Sequence, residues 1–100
     1  MVIALIPATV FADTGYDLYV NGEQFTSEKL SIKCGDGTAT YDPDTATLTL
    51  NDAAITKGGT NNNYGIIMTG NTNLNIALSG TNSIDLQEGG GIIASSDVKI

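Results

Sequence analysis

The side chains of this chain that can do chemistry are carboxylates and amides. The chain has 11 Asp and Glu residues against 4 Lys and Arg, no His, and a net charge of −7. β-Elimination on a polyuronate needs a strong Lys or Arg base beside carboxylates that hold Ca²⁺. No Arg occurs, and the four lysines show no spacing that pairs them with a cluster of acids. We therefore predict that the chain is not an enzyme and has no catalytic residues.

Two carboxylates, Asp85 and Glu88, lie close together in the sequence. Glycosidases use a pair of carboxylates placed on either side of the scissile bond. Here both acids belong to one turn-like segment that runs into three glycines, so we interpret them as solvated turn residues rather than as a catalytic pair.

The metal-ligand candidates are Asp36, Asp42 and Asp44, in "DGTATYDPD". Their carboxylates are the hard oxygen donors that Ca²⁺ prefers, but the D-x-D-x-D-G spacing of a calcium loop is missing. The prediction is no cofactor, with Ca²⁺ at these three aspartates as the alternative.

The candidates for binding a sugar are Tyr64 and Asn63 in "NNNY", with Asn73 and Asn75 on the next strand. An aromatic ring packs on the apolar C–H face of a pyranose, and amides bond its hydroxyl groups. The alternative is that residues 61–63 only form a turn and that Tyr64 caps the core.

The acidic balance excludes some partners. Binding to nucleic acid or to anionic lipid needs clustered Lys and Arg, and this chain has four lysines spread over its length. We predict neither partner.

These side chains must be positioned by a repeated element. "GIIMTGNTNLNI" is followed by "GIIASSDVKI", with Gly65 and Gly91 26 residues apart and Leu74 and Val98 24 apart. Upstream, one alignment places Leu48 26 residues before Leu74; a second aligns "LTLNDAAI" with "IALSGTNSI". Self-similarity at this period indicates stacked repeats.

Within each repeat, apolar residues alternate with polar ones, which is the period of a strand and not of a helix. A repeat of this length with short strands predicts an all-β parallel β-helix, and the alternative is a small β-sandwich. By the first alignment, the inward residues are Leu48, Leu50, Leu74, Ile76, Val98 and Ile100, and the outward residues are Thr49, Asn75 and Lys99.

The segment before the repeats predicts β-hairpins. Asn21-Gly22 is the strongest short hairpin signal, since both central residues of a type I′ turn need positive φ. A second turn over residues 42–45 is expected between strands 38–41 and 46–50. We expect residues 13–45 to form capping hairpins on β-helix coils that span 46–100.

The start of the chain, "MVIALIPATVFA", is uncharged and apolar. It is typical of a signal peptide with a small-x-small cleavage site, without its basic region; the alternative is a buried N-terminal strand. We therefore interpret 1–12 as a signal-peptide remnant and predict a secreted, extracellular protein with no membrane insertion after cleavage. The lone Cys34 is then a small buried residue, because no second Cys is present to pair with it.

"GDGTATYDPDTATLTL" and "LSGTNSI", together with "YDLYVNGEQF" and the repeats, resemble the secreted carbohydrate-binding domain-containing β-helix proteins of anaerobic Gram-positive bacteria. This resemblance covers residues 16–100. It implies a right-handed parallel β-helix, export, cell-surface attachment as one option, and binding of cell-wall polysaccharide. Members of the family have more coils than the roughly two expected here, which favours a truncated fragment.

The resulting prediction is a non-catalytic carbohydrate-binding module of a secreted or cell-surface bacterial protein. The alternatives are a structural or adhesive solenoid without a sugar ligand, and an inactive fragment of a polysaccharide lyase-like β-helix. Since repeats need neighbours, we also expect self-association through an open C-terminal edge.

Overall fold

The computed structural model describes residues 14–59 and 63–100. These residues form eleven strands and no helix, so the described part of the chain has no helix that could cross a membrane. The strands are β1 Gly15–Val20, β2 Glu23–Thr26, β3 Ser31–Cys34, β4 Gly37–Asp42, β5 Thr47–Asn51, β6 Ala54–Ile55, β7 Tyr64–Met68, β8 Leu74–Ser79, β9 Ser83–Ile84, β10 Gly90–Ala94 and β11 Val98–Lys99. The segment 1–12, interpreted as a signal-peptide remnant, lies outside the described residues.

The strands form three sheets. The four-stranded sheet has the order β10-β7-β1-β2, the five-stranded sheet has the order β11-β8-β5-β4-β3, and the two-stranded sheet pairs β6 with β9. Pairing is antiparallel for β1–β2, β1–β7, β3–β4 and β4–β5, and parallel for β5–β8, β8–β11, β7–β10 and β6–β9. The all-β class predicted from the sequence is therefore confirmed, with mixed sheets.

The expected hairpins are present at the N-terminal side. Asn21 and Gly22 have φ values of 53° and 81° and join β1 to β2, as the type I′ turn requires. β4 and β5 pair antiparallel across the turn at residues 42–45. A further hairpin between β3 and β4, not predicted from the sequence, turns at Gly35 with φ 67°.

The parallel register follows the second sequence alignment. Leu48 pairs with Ile76 and Ile55 with Ile84, so the prediction that Leu48 stacks on Leu74 is wrong. A shift of two residues leaves the same alternate side chains facing inward, and the hydrophobic pattern therefore cannot distinguish the two registers. The corner between β5 and β6 decides the register, because it must match the corner between β8 and β9.

Side chains of each corner form hydrogen bonds with the backbone of the other corner. Asp52, with φ 51°, accepts a hydrogen bond at Oδ1 from the backbone N–H of Thr81 at 2.9 Å. Asn82 accepts one at Oδ1 from the N–H of Ala53 at 2.7 Å. Buried or bent backbone needs such partners, and these bonds hold the two corners in one register.

The core lies between the three sheets and is aliphatic. Leu48, Leu50, Leu74 and Ile76 are buried, as predicted. Thr49, Asn75 and Lys99 are half-buried or exposed, as expected of outward positions. At the cap, the fully buried Phe25 and Ile32 join the same core.

The C-terminal residues 98–100 differ from the prediction. Val98 is half-buried and Ile100 is 73% exposed rather than buried. Both lie in or after β11, at the edge of the five-stranded sheet, where no further described strand covers them.

Candidate functional site: a polar groove at the sheet corner

A polar groove of about 480 Å³ lies where the two-stranded sheet meets the four-stranded sheet. Its lining, here called the corner groove, is formed by Thr56, Asn63, Asp85, Leu86, Gln87 and Glu88. Thr56 directly follows β6, Asn63 directly precedes β7, and the other four connect β9 to β10. The groove is therefore built at strand ends, where loops carry function on a fixed scaffold.

Parallel pairing of β6 with β9 brings together Thr56, which follows β6, and residues 85–88, which follow β9. Ile55 pairs with Ile84, and the backbone N–H of Asp85 donates to the carbonyl of Ile55 at 2.9 Å. Thr56 therefore lies beside Asp85 although 29 residues separate them. The backbone N–H of Thr56 also donates to Oδ1 of the buried Asn21 at 3.0 Å. This bond connects the Thr56 wall of the groove to the β1–β2 turn.

Asn63 connects the start of β7 to the turn at Glu88. Its carbonyl accepts a hydrogen bond from the N–H of Gly90 at 2.9 Å, and its side-chain amide donates to the carbonyl of Glu88. A side chain at Gly89, which has φ 120°, would overlap the Asn63 backbone. The two hydrogen bonds of Asn63, to Gly90 and to Glu88, hold the turn at Glu88 against the start of β7. They give the groove a defined shape.

Tyr64 is next to the groove and not part of its lining. Its side chain is half-buried, and a methyl group at Gly90 would overlap its ring. The ring therefore packs on the backbone of the neighbouring strand. Of the sugar-binding candidates, Asn63 is therefore the one that lines the groove.

Asn73 and Asn75 are not brought to the groove. They lie at the start of β8, in the five-stranded sheet. Asn63 and Tyr64 lie at the beginning of β7, whereas Asn73 and Asn75 follow the end of that strand. Asn73 accepts a hydrogen bond at Oδ1 from the N–H of Asp97 at 3.2 Å, and Asn75 donates from Nδ2 to the carbonyl of Thr45 at 3.2 Å. Both amides thus bridge neighbouring segments of the backbone.

The three metal-ligand candidates are also separated. Asp36 lies in the β3–β4 turn, whereas Asp42 and Asp44 lie at the other end of β4. Asp42 uses Oδ1 to accept the N–H of Asp44 at 3.0 Å, which is a local turn bond. Among residues 14–59 and 63–100, no group of three or more His, Cys, Asp or Glu is placed to hold a metal ion.

Two titratable side chains of the core, Cys34 and Tyr41, have raised pKa values. Burial raises the pKa of the Cys34 thiol above its ordinary value, and the charge of Glu23 raises it further. Burial likewise raises the pKa of the Tyr41 hydroxyl, with smaller contributions from Tyr16 and Asp42. A raised pKa keeps the Cys34 thiol protonated and unreactive.

Sequence reasoning missed Thr56 and Gln87 and treated Asp85 and Glu88 only as solvated turn acids. The signal that would have found the groove is the second alignment, since pairing "LTLNDAAI" with "IALSGTNSI" places Thr56 beside Asp85. Chemically, the groove offers carboxylate, amide and hydroxyl groups beside one apolar side chain, Leu86. This set can donate to and accept from the hydroxyl groups of a ligand.

Comparison with known proteins adds no relative. No protein-family model matches the chain, and neither a curated protein nor a solved structure matches it. The family resemblance stated from the sequence therefore stays a prediction.

Proposed function

We propose that this chain is a non-catalytic polysaccharide-binding module of a secreted or cell-surface bacterial protein, and that the sugar chain binds in the corner groove. The observation that carries the proposal is the groove itself, a cavity of about 480 Å³ with a mostly polar lining at the ends of strands. Ligand sites are concave, largely preformed and lined by a few convergent polar groups. Asn63, Asp85 and Gln87 are the side chains proposed to bond the hydroxyls of the sugar.

The scaffold for this site is proposed to be a right-handed parallel β-helix capped by hairpins. Support comes from three parallel pairings between successive repeats, β5–β8, β6–β9 and β7–β10, one in each of the three sheets. In such a coil, a groove formed at one corner runs along the stack of repeats, which suits an extended polymer.

The non-catalytic assignment is supported by the position of the two acids. Asp85 and Glu88 lie on the same wall, within one connection between β9 and β10. The lining residues from the other two segments, Thr56 and Asn63, carry a hydroxyl and an amide. Glycoside hydrolysis needs carboxylates on both sides of the glycosidic bond, and we propose that two acids on one short connection do not form such a pair.

A retention assay tests the proposal. The chain is mixed with insoluble cellulose, chitin, xylan and mannan, and with immobilised pectin, with and without Ca²⁺, and the bound fraction is measured. At least one of these polymers should retain the chain. Asp85→Asn and Gln87→Ala should each weaken retention about tenfold, which corresponds to ~1.4 kcal/mol, without lowering the melting temperature.

The matched control is Asn73→Ala, since Asn73 is exposed and lies away from the groove. It should leave retention unchanged. Loss of retention in Asn73→Ala, with normal retention in the groove variants, would move the site to the five-stranded sheet. No retention on any polymer would instead favour the structural or adhesive solenoid.

A further inference from the structure

The corner groove is negatively charged. Asp85 and Glu88 both belong to its lining, and both side chains are exposed. The other lining residues are uncharged: Thr56, Asn63, Leu86 and Gln87. The sequence of residues 58–62, "GGTNN", adds no charge between the two ends of β6 and β7 that border the groove. The described lining therefore carries two negative charges and no positive one.

No lysine of the described residues neutralises these two acids. Within residues 14–59 and 63–100, the carboxylates of Asp85 and Glu88 accept no hydrogen bond and form no ion pair. The ion pair in this part of the chain joins Lys29 to Glu23. Lys57 is close in sequence to the groove but is not in its lining, and its Cβ lies 3.6 Å from where a methyl group on the glycine of the β1–β2 turn would be. Both groove carboxylates are thus available to a ligand.

The described lining has no aromatic ring to stack on a sugar. Leu86 is its one apolar residue and is half-buried, while the ring of Tyr64 packs on the backbone of Gly90. Apolar contact with a ligand is therefore small, and the affinity must come from polar groups. Hydrogen bonds between ionised partners are about twice as strong as those between neutral ones. The ligand that gains most here is one that brings positive charge to the two carboxylates.

The charge of the sugar chain separates three classes of polysaccharide. A polyuronate is repelled by the groove acids and by the net charge of −7, and the described residues hold no group of three or more His, Cys, Asp or Glu for a bridging metal ion. A neutral polymer takes water from the carboxylates without supplying a counter-charge. A polymer with protonated amino groups supplies both the charge and three N–H donors for each amine.

We propose that the sugar chain bound in the corner groove is an amino-polysaccharide, whose protonated amino groups pair with Asp85 and Glu88. This inference rests on the proposed function, since it assigns the class of polymer to the same site. Acetylation of an amino group removes its charge and leaves one N–H in place of three. The same polymer in its N-acetylated form should therefore bind more weakly.

Calorimetric titration of the full 100-residue chain at about pH 6 tests the proposal with three soluble oligomers of equal length. They are an oligomer of glucosamine, the same oligomer fully N-acetylated, and an oligomer of galacturonic acid with and without Ca²⁺. The amino oligomer should bind at least about fivefold more tightly than the acetylated one, which is the gain from one good exposed ion pair. The acidic oligomer should not bind in either condition.

A pair of double variants distinguishes the groove from general attraction between an acidic protein and a cationic polymer. Asp85→Asn with Glu88→Gln should bind the amino and the acetylated oligomers equally. The matched control is Asp44→Asn with Asp97→Asn, which makes the same change of charge at two exposed acids. Asp44 precedes β5 and Asp97 follows β10, at the strand ends away from the groove. The control should keep the preference for the amino oligomer, and circular dichroism checks that both variants fold.

The other results separate this inference from the function on which it rests. Equal affinity of the parent chain for the amino and acetylated oligomers would overturn the amino-polysaccharide and leave polysaccharide binding in place. An equal loss of preference in both double variants, or binding of the galacturonic acid oligomer, would also overturn it. No binding of any oligomer, with no retention on any polymer, would reject the proposed function together with this inference.

Discussion

The side-chain oxygen of Asn21 lies 3.0 Å from the backbone nitrogen of Thr56, 35 residues further along the chain. The same oxygen accepts the N–H of Lys57 at 3.1 Å, and Nδ2 of Asn21 donates to the carbonyl of Lys33. A buried amide thus joins the β1–β2 turn, the end of β3 and one wall of the corner groove.

Replacing Asn21 with Gly separates the two roles of this residue. Glycine keeps the positive φ that the turn needs, so the loss in stability reports the amide contacts together with the greater backbone entropy of glycine in the unfolded chain. We expect Asn21→Gly to lower the free energy of unfolding by about 1–3 kcal/mol, because two part-buried N–H groups lose their acceptor. Urea denaturation measures the change.

Asn73→Ala is the comparison for that experiment, since Asn73 is exposed and makes one bond to a backbone N–H. Its cost should stay below about 1 kcal/mol. Equal losses in the two variants would mean that Asn21 contributes only through its turn.

Gly65 and Gly91 lie opposite each other in the parallel strands β7 and β10 but have different surroundings. A methyl group on Gly65 would lie 2.6 Å from Cγ2 of Ile84 and 2.9 Å from Cγ2 of Ile55, whereas one on Gly91 would meet nothing within 4 Å. We expect Gly65→Ala to cost about 1–3 kcal/mol through overpacking, and Gly91→Ala to change stability by less than ~1 kcal/mol. Thermal melting of both variants checks this, and a tolerant Gly65 would contradict the packing at this corner.

Ile76 and Ala77 test which side of β8 faces the core. Ile76 is buried and pairs with Leu48, whereas Ala77 is exposed and pairs with Thr49. Ile76→Asp should abolish folding, because an unpaired buried charge costs several kcal/mol against a typical stability of ~5–15 kcal/mol. Ala77→Asp should fold, and circular dichroism distinguishes the two. A folded Ile76→Asp variant would show that this side chain is not in the core.

Stability should decrease in alkali. The raised pKa values of Cys34 and Tyr41 mean that the folded state favours their neutral forms. Their contribution to the free energy of unfolding is fully present below the ordinary pKa values, 9.0 for Cys34 and 10.0 for Tyr41. It is lost as the pH rises through the raised pKa values of the folded state. Urea denaturation between pH 7 and pH 11 should show a constant free energy of unfolding up to about pH 9 and a decline above it.

Tyr41→Phe is the control for this prediction. Phe keeps the ring contacts of Tyr41 with Tyr16 and Phe25 and removes the hydroxyl that ionises. The decline above pH 10 should be smaller in this variant. An identical decline in both proteins would assign the alkaline sensitivity to other groups.

The sequence alone determined the local structure of this protein. Asn21-Gly22 specified its hairpin because few other residues tolerate positive φ at both turn positions. The alternation around Leu48, Leu74 and Ile76 specified strands and their inward side chains, because the side-chain period of a strand is two residues. The buried state of Cys34 also followed from the sequence.

Only the tertiary structure decided the register, the groove and the exposed end. Leu48 over Ile76 and Leu48 over Leu74 satisfy the same hydrophobic pattern, so the corner bonds of Asp52 and Asn82 had to select between them. Asn63 and Asp85 come together only through that selection, because a two-residue slip would place other residues along the groove. The exposure of Ile100 likewise depends on which strands lie beside it, and a local pattern of apolar residues contains no information about neighbours that are distant in the chain.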